Sequence, residues 1–122
     1  MSVAFEKTYS LTTNQFDKND VMKCSALLDI AQDIAGRHAD KLHIGFSDLM
    51  KENLIRVVVR NKLTIKKPIK NIDEIKVRTE PFKARFVEYY RETKFFVGDE
   101  EVASLISVWM MVDIKSFSLG NS

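Results

Sequence analysis

The long amphipathic segment from Val21 to Leu42 is the feature that most limits how this chain can fold. At 100° per residue, its apolar side chains fall within an arc of roughly 120° on one side of a helix. The residues in this arc are Cys24, Leu27, Leu28, Ala31, Ile34, Ala35, His38 and Leu42. Such a helix is about 30 Å long at 1.5 Å per residue, and Asp20 is its expected N-cap. A face of this size is wide enough to cover a sheet.

Most of the remaining sequence has the alternation and the β-branched content of strands. The predicted strands span residues 3–12, 54–65, 73–81, 85–97 and 102–114. A short helix is predicted at 46–52 with Ser47 as its cap, and Gly98-Asp99 is the expected hairpin turn. Short links force neighbouring strands to run antiparallel, and the long helix has one sheet to lie on. The order predicts an α+β hot-dog fold, in which the sheet wraps the central helix, with a cystatin-like or other helix-on-sheet domain as the alternative.

Length and composition fit one domain, residues 1–122, and argue against several functional classes. A net charge of +2 is too small to indicate nucleic acid or an anionic membrane as a partner. A lone cysteine, Cys24, excludes an internal disulfide, and no zinc-binding set can be assembled. The sequence shows no signal peptide and no membrane-spanning stretch, so the cytoplasm is the expected location. It also shows no metal, nucleotide or redox-cofactor motif, so no cofactor is expected.

Four segments, taken in order, resemble the acyl-acyl-carrier-protein thioesterase family. Residues 28–39 are similar to the family's helix, in which a glutamine is followed by His-Ala. Residues 57–68 resemble its next strand and turn, Val77 and Thr79 fit the strand after that, and residues 107–113 resemble its closing strand. The resemblance covers most of the chain and implies the hot-dog fold. It also implies hydrolysis of fatty acyl thioesters, on acyl carrier protein or coenzyme A, to free acid and thiol.

The chain departs from the family pattern in two ways. The family usually carries two hot-dog halves, and this chain resembles the first. In plant relatives, catalytic Asp, Asn and His follow a D-x-N-x-H pattern, whereas here Asp17 and Asn19 fit and Val21 replaces the histidine. A non-catalytic acyl-thioester-binding domain, or an isolated half of a longer thioesterase, is therefore an alternative. A third hypothesis is a hydratase or dehydratase that relies on His38.

The candidate catalytic residues are Asp17, Asn19 and Gln32. Asp17 and Asn19 lie beside the start of the long helix, where a carboxylate base and an orienting amide would suit hydrolysis. Loops and helix caps prefer the same residue types, so a structural role is the competing interpretation. Gln32 lies at the edge of the apolar arc and is a candidate for positioning water, or a surface residue.

The candidate substrate-binding residues are His38, Arg60 and Trp109. His38 either lines an acyl or pantetheine channel or is a hydrogen-bonded core residue. Arg60 begins a basic run with Lys62, Lys66, Lys67 and Lys70. This run suits an acidic carrier protein or coenzyme A phosphates, and it also suits solubility.

Trp109 belongs to an apolar strand that serves as core, as acyl slot, or as both. Cys24 is expected to be a small buried core residue, since His38 lies about 21 Å further along the helix and cannot be its base. Hot-dog domains usually pair, so a homodimer or higher even oligomer is expected, with the slot at the interface.

Overall fold

One long helix lies across a five-stranded antiparallel sheet in this computed structural model, which describes residues 4–42, 44–85 and 88–114. The helices are α1 (Cys24–Lys41) and α2 (Phe46–Met50). The strands are β1 (Phe5–Ser10), β2 (Leu54–Ile65), β3 (Glu74–Arg85), β4 (Glu88–Val97) and β5 (Glu100–Asp113). The predicted elements are all present within a few residues of their expected bounds. Parts of the first and fourth predicted strands, at residue 3 and at residues 86–87, lie outside the described residues.

The sheet has the strand order β1-β3-β4-β5-β2, with every pairing antiparallel. The predicted hairpin between β4 and β5 is confirmed, because Val97 pairs with Glu100 across Gly98-Asp99. Gly98 has a φ of 63°, a left-handed conformation that glycine adopts without a Cβ penalty. Strand β2 is an edge strand, and its pairing with β5 shifts register at a bulge between Val58 and Arg60. Bulges of this kind bend the strand that carries them.

The start of α1 differs from the prediction. The helix begins at Cys24 with Lys23 as its N-cap, and no side chain caps it. Asp20 instead has a φ of 61° in a turn before the helix. Val21 forms an isolated bridge with Lys70, so the chain is extended where the helix was expected to begin. The predicted cap at Asp20 was therefore wrong.

The buried face of α1 is wider than the predicted arc. Its buried residues are Ala26, Leu27, Ile30, Ala31, Ile34, Ala35, His38 and Ala39. At 100° per residue they cover about 220° of the helix, so the helix is enclosed from more than one side. Cys24 is exposed, which corrects its assignment to the core, since it is the first residue of the helix. Leu42 is also exposed, at 42%, because it follows the last helical turn.

Much of the interior between α1 and the sheet is apolar. The sheet contributes Ile75, Val77, Phe95 and Leu105, each no more than 2% exposed. Helix α2 is capped by Gly45, whose backbone N–H donates to Asp48 Oδ2 at 3.2 Å, and not by Ser47 as predicted. No helix in the described ranges is long and apolar enough to cross a membrane.

Candidate functional site

A first cavity, of about 70 Å³, lies between the middle of α1 and strands β2, β4 and β5. It is large enough for a few water molecules. Its helix wall runs from Leu28 through Gln32 to Ala35. The sheet wall is formed by Val58, Asn61, Arg91, Thr93, Leu105, Ser107 and Trp109. Gln32 is exposed, and the lining mixes polar and apolar side chains, so this compartment is more polar than the core beside it.

A second cavity, of about 250 Å³, lies beyond the carboxyl end of α1. Its walls are mostly apolar and aromatic: Leu42, Ile44, Arg56, Pro81, Tyr89, Tyr90, Arg91, Trp109 and Met111. Arg91 and Trp109 line both cavities, so the two spaces adjoin at these side chains. From Leu28 to Leu42 the helix advances about 21 Å. The two cavities together form an elongated space along the helix, which we call the slot.

A buried polar group lies where the two cavities meet. Arg91 is only 6% exposed, and its Nη1 donates to His38 Nδ1 at 2.9 Å and to Thr79 Oγ1 at 3.1 Å. Thr79 Oγ1 also shares a hydrogen bond of 3.1 Å with Thr93 Oγ1. Because an arginine can only donate, His38 Nδ1 must accept, which leaves the ring proton on Nε2.

Burial determines the electrostatics of this group. It lowers the pKa of Arg91 to about 10, assisted by the positive charge of Arg56. Burial also lowers the pKa of His38, and the charges of Arg91 and Lys41 act in the same direction. At neutral pH the pair is therefore a charged arginine beside a neutral histidine.

His38 has the position of a hydrogen-bonded core residue. It is 2% exposed, and its ring stacks on Phe5 with centroids 5.5 Å apart and an interplanar angle of 8°. Its Nε2 has no hydrogen-bond partner among the described residues. His38 is not among the lining residues described for either cavity, and it contacts them through Arg91.

The structure brings Gln32 and Trp109 together in one cavity but places Asp17 and Asn19 elsewhere. Asp17 Oδ1 accepts hydrogen bonds from the backbone N–H groups of Asn19, at 2.8 Å, and Val21, at 3.1 Å. The carboxylate therefore closes the turn that precedes α1. Neither Asp17 nor Asn19 is among the residues described as lining the slot.

The basic run in and after β2 is partly neutralised by carboxylates on β4 and β5. Arg60 lies 3.7 Å from Glu88, and Lys67 lies 3.1 Å from Glu100. Lys66 forms an ion pair with Glu101. All three basic side chains are at least half exposed, so this surface carries mixed charge.

Sequence reasoning missed Arg91, the most deeply buried charged side chain of the site. One signal was present in β4, where Arg91, Thr93 and Phe95 alternate with outward residues and all three are buried. A charged residue on the inward face of a strand is unusual unless it has a partner or a ligand. In the described part of the chain, no group of three or more His, Cys, Asp or Glu side chains could hold a metal ion.

Comparison with known proteins identifies a matching family for this chain. Residues 2–119 match the family model described as the acyl-ACP thioesterase N-terminal domain. No curated protein sequence matches the chain.

Three solved structures share the fold. An acyl-ACP thioesterase from Bacteroides thetaiotaomicron is 18% identical, with a TM-score of 0.88, and the match covers 93% of this chain and 47% of that one. A DHNA-CoA thioesterase from Staphylococcus aureus is 16% identical, with a TM-score of 0.82 and coverage of 93% and 77%. A hypothetical Staphylococcus aureus protein in complex with CoA is 12% identical, with a TM-score of 0.84 and coverage of 95% and 74%. These likenesses confirm the predicted hot-dog fold, and the chain spans about half the length of the Bacteroides protein.

Proposed function

This chain belongs to the acyl-ACP thioesterase family, and from that membership we propose that it hydrolyses fatty acyl thioesters to free acid and thiol. The observation that carries the proposal is the slot along α1, in which a small polar compartment opens into a larger apolar one. An acyl thioester has the same division, with a polar reacting carbonyl at one end and an alkyl chain beyond it.

The proposed chemistry takes place in the first cavity. Gln32 holds a water molecule by its side-chain amide, and Ser107 Oγ, which donates to Asn61 Oδ1 at 2.8 Å, gives that cavity a second polar group. The water loses a proton to a general base as it attacks the carbonyl carbon, the C–S bond breaks, and the thiolate leaves and takes up that proton. The proposed role of Gln32 is positioning, because an amide does not titrate in this range.

Asp17 is the proposed general base, with Asn19 as the orienting amide. Its Oδ1 is held by two backbone N–H groups, while Oδ2 makes no hydrogen bond among the described residues. A carboxylate with one oxygen fixed and the other free is suitably oriented to take a proton. The separation of Asp17 from Gln32 means that this role depends on how substrate, or a second copy, approaches the start of α1.

The proposed substrates are thioesters of acyl carrier protein or coenzyme A, used in fatty acid biosynthesis in the cytoplasm. Family membership supports the carrier protein, and the exposed basic side chains of β2, including Arg60, support docking of an acidic or phosphorylated carrier. In this proposal Trp109 lines the acyl slot, and His38 acts on it through Arg91.

We also propose a homodimer, or a higher even oligomer, formed through β2. This edge strand exposes Val58, Val59 and Ile65 at 38%, 41% and 42%. Val58 and Asn61 also line the first cavity, so a second copy at this edge would help to enclose the polar compartment. Burial of an apolar sheet edge favours such pairing.

A non-catalytic acyl-thioester-binding domain is the second candidate. Val21, at the position of the plant histidine, forms a bridge with Lys70 and supplies no titratable group. In addition, the described lining of the first cavity contains no carboxylate and no histidine. Binding without turnover is the behaviour this candidate predicts.

The deciding experiment is thiol release from acyl-carrier-protein and acyl-coenzyme-A substrates of graded chain length. We expect turnover with a chain-length optimum, and a fall of about 100-fold in kcat for Gln32→Ala, the scale on which misplaced reactants act. Asp29→Ala is the matched control, since Asp29 is exposed on the same helix and lies outside the described lining of both cavities. Absence of turnover by a folded protein that binds acyl thioesters would favour the second candidate.

A further inference from the structure

Among the described residues, Arg91 is a buried cation without a counter-ion. It is 6% exposed, and its hydrogen-bond partners, His38 and Thr79, are both neutral. The ion pairs in the described part of the chain involve other basic residues: Arg37, Arg60, Lys66, Lys67, Arg78 and Lys94. A buried charge normally requires a partner of opposite sign, because removing it from water is costly.

The surrounding charges increase this imbalance. Arg56 lies on the wall of the second cavity with Arg91, and its positive charge disfavours the charged form of Arg91. The negative charge of Asp40 favours the charged form of Arg56, but Asp40 is exposed and forms no ion pair with Arg91. His38 cannot compensate, since it is neutral and accepts a hydrogen bond from the same guanidinium. The slot is therefore positive at its midpoint.

The same place has unused hydrogen-bond donors. Among the described residues, Nε and Nη2 of Arg91 have no hydrogen-bond partner, because both of its bonds use Nη1. Trp109 Nε1 is buried and also lacks a partner in this part of the chain. Arg91 and Trp109 line both cavities, so acceptor atoms of a ligand in the slot can reach this region.

We propose that Arg91 and Trp109 form a carboxylate-binding subsite at the middle of the slot. A carboxylate supplies the missing negative charge, and its two oxygens match two parallel N–H groups of a guanidinium. An unsubstituted alkyl chain would leave the charge and the donors unsatisfied. This proposal rests on the proposed function in one respect, namely that the ligand is an acyl compound.

The carboxylate has two possible sources within that chemistry. It is either the carboxylate of the free fatty acid product or a second carboxylate at the far end of the acyl chain. Six residues separate Gln32 from His38, which is about 9 Å along the helix. An extended chain advances about 1.2 Å per bond, so about seven or eight bonds cover this distance. A medium-length acyl chain therefore spans the axial distance between Gln32 and His38, the residue that Arg91 contacts.

Calorimetric titration with three probes built on an eight-carbon acyl chain tests the proposal. The probes are octanoate, neutral methyl octanoate, and the monomethyl ester of octanedioic acid, which carries one ester and one distal carboxylate. We expect at least one carboxylate probe to bind wild-type protein about tenfold more tightly than methyl octanoate. Preference for octanoate identifies the product as the source, and preference for the monoester alone identifies a distal carboxylate.

Arg91→Met should reduce this preference to less than about twofold while binding of methyl octanoate persists. Arg78→Met is the matched control, because Arg78 is exposed and pairs with Glu80 on the same strand. If Arg91→Met fails to fold, Trp109→Phe, which removes the indole N–H and keeps an aromatic ring at this position, should reduce the preference in part.

Equal binding of all three probes by wild-type protein, no binding of any, or a preference that survives Arg91→Met would overturn the subsite. The titration requires no turnover, so it is independent of the test for hydrolysis. An active thioesterase without the preference refutes the subsite alone. A protein with the preference but without thiol release refutes hydrolysis alone.

Discussion

At the residue scale, the hydrogen bond between Arg91 and His38 determines which imidazole nitrogen carries the proton. The guanidinium donates through Nη1, so the neutral imidazole must accept through Nδ1. Protonation of His38 would place two donors 2.9 Å apart in a buried position. The folded protein therefore holds His38 in its neutral form. Protonation of His38 would lower the stability of the folded state.

This coupling predicts a loss of stability in mild acid. The pKa of His38 is lowered in the folded protein by burial and by Arg91, so the unfolded chain takes up a proton first. The stabilisation is complete above the ordinary histidine pKa of about 6.5 and is lost as the pH falls below that value. Urea unfolding between pH 8 and pH 5 should show this decline, and His38→Gln, which keeps an acceptor but does not titrate, should flatten it. For each protein, the free energy of unfolding is compared with its own value at pH 8. The same decline with pH in wild-type protein and in His38→Gln would contradict the assignment of this effect to His38.

Sequence reasoning at this scale proposed Gln32, His38 and Trp109 as site candidates but not Arg91. The first three lie in segments with a visible pattern, the helix and the last apolar strand. The importance of Arg91 comes from its burial against α1 and β3, which depends on contacts with Thr79 and His38, residues that lie 12 and 53 positions away. Contacts at such separations are set by the tertiary fold.

At the element scale, the helix and the strands follow from local pattern, while the helix start does not. Alternation and spacing predicted all five strands and the hairpin at Gly98, because the solvent-facing and core-facing sides differ along each element. The helix start was misplaced because Asp17 folds the preceding chain into a turn. Val21 then pairs with Lys70, which keeps the chain extended just before the helix. The local sequence pattern does not reveal a pairing between residues so far apart in the chain.

The turn before α1 allows the two roles proposed for Asp17 to be separated. Asp17→Asn keeps an oxygen that can accept the backbone hydrogen bonds of Asn19 and Val21, but it cannot act as a base. If Asp17 is the base, thiol release should fall by about 100-fold or more while unfolding is little changed. Asp17→Ala should also destabilise the protein, by about 1–2 kcal/mol, because it removes both hydrogen bonds. Full activity in Asp17→Asn, measured beside an Asp29→Asn control, would assign Asp17 to the turn alone.

At the scale of the whole molecule, the sheet ends in two edges of different character. Strand β1 is short and alternates exposed and half-buried residues, whereas β2 is twelve residues long and exposes valines and an isoleucine. Long apolar edges tend to pair with another strand unless something covers them. The first cavity opens toward β2 through Val58 and Asn61, so assembly and enclosure of the polar compartment involve the same strand.

This asymmetry predicts which edge forms the proposed dimer. Wild-type protein should have twice the 14.1 kDa mass of one chain in light scattering, or a higher even multiple. Val59→Lys should reduce the mass to that of one chain without unfolding it, because Val59 is 41% exposed and a lysine opposes strand pairing at an apolar edge. Thr8→Lys places the same charge on the exposed face of β1 and should leave the mass unchanged.

The same variants connect assembly with catalysis. If a second copy encloses the first cavity, Val59→Lys should lower thiol release together with the mass. In the resulting monomer, the β2 side of the cavity lacks the second copy that helps to position water and substrate. A wild-type protein that is monomeric yet active would show that the slot is complete within one chain. A dimer that survives Val59→Lys but is lost in Thr8→Lys would place the interface at β1, and the polar compartment would then remain open at β2.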